Sequence, residues 1–367
     1  MKRNYYLCGV LLLVTVLAGW GNKGHRAVAL IAEKHLQSDV KTVIQSYLDG
    51  ETMEEVSTWA DDHHNTYTAQ WHYINLPVGL SYAAFDKAVR AQKHTVYTAL
   101  LKARATIQMP GASKEKKKDA LRYLIHLVAD AHQPMHVSRK EDRGGNDITL
   151  KFGGDKTNMH SLWDGKLIDR EGLSIPEMVA AYDNASPQQV KQWQQDSVMQ
   201  WLWESYQISG QLYRELKPGT NVADAAYQQY INITRKRILL AGIRLAGELN
   251  SVLKGQKAVP VKVKPVTPVR PQQPGVATRI ALKDVANAVG KQVVVSGKVF
   301  SAKDIGRMLL LNIGAAHPNQ LLTVALQGKA KTSFTGNLNG KTITVTGKVI
   351  LFKGKPEIIV DDPAQLQ

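Results

Sequence analysis

The stretch "KAVPVKVKPVTPVRPQQPG", residues 257–275, separates two parts of this chain that follow different periods. Its prolines lack the amide hydrogen that a helix or central strand needs, and they hold the backbone extended. The stretch therefore reads as a semi-rigid linker. Before it, from about residue 24 to 250, apolar residues recur at helical spacing, as in "HRAVALIAEKHL", "KKKDALRYLIHLVADAHQ" and "TRKRILLAGIRLAGELNSVL". Only "NDITLKF" breaks the pattern. After it the period becomes two, with strand candidates in "KQVVVSGKVF", "RMLLLNIG", "LLTVALQG", "KTITVTGKVILF" and "PEIIVDD". A short segment, 331–340, sits between the third and fourth. The expectation is a mainly α chain: a multi-helix domain over 20–250, a linker over 251–278 and a small all-β, OB-like barrel over 279–367.

Residues 1–19 look like an export signal. Lys2 and Arg3 precede a short apolar run, 7–18, that ends in Ala-Gly. The run is too short for a comfortable membrane span and has a small residue at its exit. The chain is thus expected to be exported, to the periplasm or beyond, with no stable membrane span. The only cysteine, Cys8, lies inside that signal. The mature chain would have no disulfide, so packing or metal must supply its stability. A cut after Gly19 makes Trp20 the first residue, with a free α-amine of pKa about 8 that can bind a metal once deprotonated.

The formal net charge of +16 is uneven. Residues 251–367 carry 17 Lys/Arg against 5 Asp/Glu, whereas residues 20–250 carry 28 against 26. The basic part could attract a polyanion such as nucleic acid, or simply be a solvated surface. Its aromatic residues are few: Phe300, Phe334 and Phe352, with no Trp or Tyr. Stacking platforms for single strands usually need more.

Chemistry concentrates in the helical part. "HLVADAHQPMH" places His126 and Asp130 four apart, on one face of a helix, and Pro134 should end that helix so that His136 can turn to a neighbouring ion. "HSLWD" repeats the spacing with His160 and Asp164; "WADDHH" offers Asp61 and Asp62, and "WHYIN" offers His72. One such pair is more often a surface ion pair, but the whole set suits zinc held inside a helical bundle. His35, His94 and His317 read as surface or packing residues. His63, His64 and His132 are ambiguous neighbours of better candidates.

The order Trp-x4-His, Trp-Ala-Asp, His-Tyr-Ile-Asn, His-x3-Asp-x5-His, Gly-Gly-Asn and His-x3-Asp resembles the zinc-dependent single-strand-specific nucleases. These are the S1/P1 family, or type I nucleases and 3′-nucleotidases, and the likeness spans residues 20–250. It implies a phospholipase C/nuclease-like helical zinc domain with three Zn2+ ions. One would be held by Asp61, His72, His126 and Asp130. A second would take Trp20, through its amine and carbonyl, with His25 and a shared Asp130. The third would take His136, His160 and Asp164. The resemblance also implies stacking of a base on Tyr73 and contact of a base with Asn146. Asn75 stands where fungal members commonly carry an aspartate, and an amide can donate as well as accept. His64 stands where they place a lysine, and with Asp61 it is the expected catalytic pair.

The implied substrates are single-stranded DNA or RNA and 3′-nucleotides, cut to 5′-phosphate and 3′-hydroxyl products by a monomer. Phosphodiester cleavage needs an activated water, neutralised phosphate charge and a stabilised leaving oxygen, all of which grouped zinc ions supply. Two alternatives stand beside this. One is a secreted zinc phospholipase C, which usually spaces the first histidine further from the tryptophan and ends its ligand set with glutamate. The other is a non-catalytic polyanion-binding relative, in which gaps in the ligand set would be expected. Residues 279–367 resemble a bacterial OB-like domain, implying a further nucleic-acid contact; a spacer or cell-surface adhesion role is the alternative.

Overall fold

The computed structural model describes residues 20–259, 277–306, 308–316, 319–333, 338–352 and 355–366. The expected signal, 1–19, most of the linker, Phe334 and His317 lie outside them. The chain divides into two compact units between residues 262 and 263.

The first unit is built around the helix Lys114–His132. Ser113 caps its start by accepting a hydrogen bond from the Lys116 amide at 3.3 Å. Its first turns are lysine-rich, but from Leu124 onward every residue is buried. Pro134 then ends it, because a residue before proline avoids helical geometry; Gln133 is extended, with ψ 119°. Against this helix pack Gly21–Lys34, Val96–Gln108, Val198–Glu215 and the 29-residue Asp224–Val252. Ile31, Leu100, Leu124, Val128, Leu202 and Ile243 are wholly buried in the core. Each such side chain contributes about 1.5–3 kcal/mol.

Buried charge fastens the C-terminal end of the same helix. Arg237 Nε donates to the His132 carbonyl at 3.0 Å. Arg244 meets His132 Nε2 at 3.0 Å, and both arginines pair with Glu204. His132 Nδ1 donates to the Val128 carbonyl at 2.7 Å, so its Nε2 is the acceptor and the ring is neutral. Burial, then Arg237 and Arg244, holds the His132 pKa well below its ordinary value.

Short strands complete the unit. β1 (Ile74–Asn75) runs parallel to β2 (Val137–Ser138), which ties the His72 segment to the His136 segment. β3 (Thr149–Phe152) forms a hairpin with β4 (Asp155–Asn158) and lies parallel to β5 (Asn221–Val222). The β3–β4 pair is the "NDITLKF" break in the helical pattern.

The linker starts later than residue 251. The last helix runs to Val252, Gln256 Nε2 donates to the Val252 carbonyl at 2.9 Å, and the Val259 amide donates to Ser46 Oγ at 3.1 Å. Composition marks where proline begins, not where helical packing stops.

The second unit is a single curled sheet, a β half-barrel. Its strands are β6 (Thr278–Ile280), β7 (Gln292–Asp304), β8 (Met308–Ile313), β9 (Leu322–Gln327), β10 (Thr342–Lys348), β11 (Ile350–Phe352) and β12 (Lys355–Val360). The order is β10-β7-β8-β9-β12-β11, with β6 beside β7. β12 runs parallel to β9, and the other neighbours on the path are antiparallel. A register shift between Val299 and Ser301 marks a bulge that bends β7. The short helix Gly328–Ser333 follows β9, at the start of the expected insertion. Val293, Val295, Leu311, Val324 and Ile358 fill the concave side.

Candidate metal centre

Three segments converge on the end of the Lys114–His132 helix. His126 and Asp130 share its inner face, one turn apart, both with no exposed surface. Asp61 comes from the one-turn helix Trp59–Asp62, and His72 from the 3-10 turn Ala69–His72. The His72 Nδ1 lies 2.9 Å from Asp130 Oδ2 and 3.1 Å from His126 Nε2. His126 Nε2 is 3.1 Å from Asp130 and 3.4 Å from Asp61 Oδ1. His25, on the Gly21–Lys34 helix, stacks on His126 with centroids 4.0 Å apart and sets its Nε2 3.4 Å from Asp130 Oδ1. The four residues expected at one ion are therefore together, and His25 reaches the shared Asp130.

The second group forms beyond the helix end. His136 and His160 stack with centroids 5.2 Å apart. Asp164 Oδ2 is 3.1 Å from His160 Nε2, and its Oδ1 is 3.7 Å from His136 Nε2. His160 and Asp164 are not on one regular α-helix. A π turn, Leu162–Lys166, follows Met159–Ser161 and carries Asp164. Such turns often occur at functional sites.

The outer ring nitrogens are already committed. Nδ1 of His126 donates to the Ser57 carbonyl at 2.7 Å, Nδ1 of His136 to His72 at 2.7 Å, and Nδ1 of His160 to Gly144 at 2.8 Å. Each bond fixes a tautomer with its lone pair on Nε2, facing the carboxylates. Buried atoms of His25, Asp61, His72, Asp130, His136 and His160 have no hydrogen-bond partner. An unpaired buried polar atom costs about 1–3 kcal/mol, so this concentration of them suits a ligand held between these side chains. Imidazole nitrogens and carboxylate oxygens in three sets, each within 4.8 Å, could hold metal ions: His25/Asp61/His126, His72/His126/Asp130 and His136/His160/Asp164.

The electrostatics agree. Burial works against charge on His126, but Asp130 and Asp61 overcome it and raise its pKa well above the usual histidine value. His136 is likewise raised to about 9, with burial outweighed by Asp130 and Asp164. His25 is lowered, by burial and then by His126, and keeps its lone pair. The carboxylates thus call for positive charge between them.

Trp20 is wholly buried, and its indole donates to the Ala129 carbonyl at 2.8 Å, one residue before Asp130. Gly24 makes room for it, since a Cβ there would lie 2.5 Å from the Trp20 Cβ. Tyr73 and Asn75 are half-buried beside His72, and Asn75 pairs with Ser138 in the β1–β2 register. Asn146 is half-buried in the loop that supplies the Gly144 carbonyl, and its Nδ2 donates to Arg143 at 2.9 Å. His64 is exposed, with Nδ1 against the Asp61 carbonyl. His63 stacks on Trp59 at 4.4 Å, and His35 pairs with Asp183 at 2.8 Å.

Sequence reasoning missed two supports. Gln133 is buried, bridges to the Asp164 carboxylate and accepts from the Met135 amide. Asp142 accepts from the Gly145 amide at 2.8 Å and the Tyr213 hydroxyl at 2.9 Å, which shapes the glycine loop. The Gln-Pro step in "AHQPMH" was the available signal for the first; nothing local marked the second.

Comparison with known proteins gives a family match described as S1/P1 Nuclease over residues 20–254. Endonuclease 4 of Arabidopsis thaliana is 27% identical over 286 residues, covering 66% of this chain and 93% of its own length. Nuclease S1 of Aspergillus oryzae is 28% identical over 164 residues, covering 42% and 56%. Nuclease P1 of Penicillium citrinum is 27% identical over 173 residues, covering 43% and 63%.

Proposed function

The chain belongs to the S1/P1 nuclease family, and on that premise we propose that it is a zinc-dependent phosphodiesterase of single-stranded DNA or RNA and of 3′-nucleotides. Its relatives are named as endonucleases and nucleases, so the substrate class is nucleic acid and the reaction is phosphodiester hydrolysis. The observation that carries the zinc reading is the group of buried, unpartnered ligand atoms at the end of the Lys114–His132 helix. Asp61, His72, His126 and Asp130 would hold one ion. His25, a shared Asp130 and the amine and carbonyl of Trp20 would hold a second, and His136, His160 and Asp164 a third. Bound there, zinc would neutralise phosphate charge, acidify an attacking water and stabilise the leaving 3′-oxygen.

The chain's own residues orient the reactants. Tyr73 would stack a base, with the amides of Asn146 and Asn75 reading its edge. His64, on the exposed rim beside Asp61, would approach the phosphate. A flexible single strand can splay a base onto such a ring, which a stacked duplex resists. Cleavage of the P–O3′ bond would leave 5′-phosphate and 3′-hydroxyl ends. The five-residue step from Trp20 to His25, and Asp164 rather than glutamate, favour this chemistry over a phospholipase C. The complete ligand set favours an active enzyme over a binding relative.

Export is proposed from residues 1–19 and from a family match that starts at Trp20. Among the described residues, no helix is long and apolar enough to cross a membrane. We further propose that the second unit is OB-like and adds a nucleic-acid contact. Its two outer strands, β10 and β11, are separated only by Val349, so consecutive residues bring the ends of the sheet together. A monomer suffices for all of this.

The deciding experiment compares a single-stranded oligonucleotide, its duplex and a 3′-mononucleotide before and after chelation. The expected result is cleavage of the first and last, resistance of the duplex, loss of activity on chelation and recovery with zinc. Undiminished cleavage in chelator would overturn the zinc reading.

A further inference from the structure

The loop between Asp61 and His72 carries a feature that the metal groups do not use. Tyr67 is 54% exposed. Its ring meets Trp71 at 5.6 Å and His94 at 5.0 Å, both steeply inclined, so neither ring lies stacked parallel on it. Lys102 Nζ lies 4.8 Å from the Trp71 ring centroid and 6.0 Å from that of Tyr67. With Lys93 these residues line a cavity of about 260 Å³ beside the helix Val96–Gln108. The lining includes two lysines and a histidine but no carboxylate.

Two features hold this arrangement in place. Asn65 Oδ1 accepts from the amides of Tyr67 and Thr68, at 2.9 and 3.1 Å, while the Asn65 amide donates to Thr68 Oγ1 at 2.9 Å. The loop is therefore pinned, and Tyr67 is presented rather than loose. His94 adopts a left-handed backbone, φ 58°, which is uncommon for a residue with a side chain. The strained turn between Tyr82–Ala91 and Val96–Gln108 sets the imidazole against Tyr67.

We propose that this cavity is a separate subsite for a flanking nucleotide of a single strand: the base stacks on Tyr67, and Lys93 and Lys102 take its phosphate. The inference rests on the nuclease reading. An aromatic face bordered by lysines is the recurring device for sequence-tolerant binding of single strands. The volume is near the low end for ligand pockets, about 300 Å³, which suits one base. Position also fits. Trp71 adjoins His72, and five residues from Tyr67 to His72 span at most about 18 Å, a distance that a few nucleotides cover. A base seated here would hold the strand while a phosphate further along reaches the metal groups.

The test uses the full zinc-loaded protein and its Tyr67→Ala and Lys93→Ala/Lys102→Ala variants. KM and kcat are measured for single-stranded oligonucleotides of increasing length and for a 3′-mononucleotide. Loss of one stacked base should cost about 5- to 150-fold in affinity. The ratio of oligonucleotide to mononucleotide kcat/KM should fall by about fivefold or more, through KM, in both variants. In the wild-type protein KM should drop once the oligonucleotide is long enough to reach the cavity, and Tyr67→Ala should abolish that drop. Tyr67→Phe should restore it, because stacking needs the ring and not the hydroxyl. Equal ratios in wild type and both variants, or a length dependence untouched by Tyr67→Ala, would overturn the proposal. Failure of the wild-type protein to cleave either substrate would instead overturn the nuclease reading beneath it.

Discussion

The Asp130 carboxylate lies within 3.5 Å of four imidazoles, those of His25, His72, His126 and His136. Asp130→Asn keeps the shape and removes the charge that would let these rings gather round a cation. The variant should bind about two fewer metal ions per chain. Its kcat/KM should fall by more than the 10- to 100-fold typical of losing an outer support, with helical content kept. Wild-type metal content in Asp130→Asn would contradict the shared role. A second residue tests stability rather than chemistry. Burial opposes charge on Glu204, but Arg244 and Arg237 overcome it and hold its pKa at about 2. Glu204→Gln leaves both arginines, each almost wholly buried, without that countercharge. The expected loss, discounted for the quarter-exposed Glu204 side chain, is about 2–4 kcal/mol. The sign with pH follows: a depressed carboxylate pKa stabilises the fold above its unfolded value, about 4.3, and that stability is lost as pH falls toward 2. Urea melts of both proteins in chelator should therefore diverge most above pH 4.5 and converge near pH 2. A constant gap would point to packing instead.

Among the elements, the glycine loop before β3 does the most delicate positioning. Gly144 has φ +67°, and a Cβ there would lie 3.0 Å from the Met135 carbonyl and 3.1 Å from Ser138 Oγ. Gly144→Ala should cost about 1–3 kcal/mol and displace the carbonyl that fixes His160. Thermal melts should show a lower Tm, and metal analysis should show the His136/His160/Asp164 ion lost first. Retention of all metal at an unchanged Tm would show that the loop tolerates the shift. The His126–Asp130 pair was legible because helical period and ligand spacing coincide there. The His160–Asp164 pair has the same spacing but sits across a π turn, which tertiary packing makes and sequence period cannot reveal. Likewise β6 and the parallel β9–β12 pairing depend on long-range register rather than on local alternation. Asn146 and Tyr73 were singled out only through resemblance; the β1–β2 pair, two residues long, which joins the His72 segment to the His136 segment, has no local signal of its own.

For the molecule as a whole, the basic unit and the ligand-bearing unit are separate in the chain. Residues 263–367 hold 14 Lys/Arg against 5 Asp/Glu and none of the proposed ligands. Because Val259 packs on the helical unit, truncation should begin at 263 rather than in the first residues of the linker. The truncated protein should hydrolyse a 3′-mononucleotide at nearly the full rate. Its binding to long single strands should weaken, with a shallower dependence on salt, since each lost phosphate contact reduces the slope by about 0.7. Equal slopes would assign the second unit a spacer role. On the proposed reading, the buried histidine and aspartate groups are metal sites, and the metal is what makes the chain a nuclease. The most direct measurement is the metal content of purified, active protein that starts at Trp20. About three zinc ions per chain are expected, whereas active protein that contains no transition metal would overturn the metal reading.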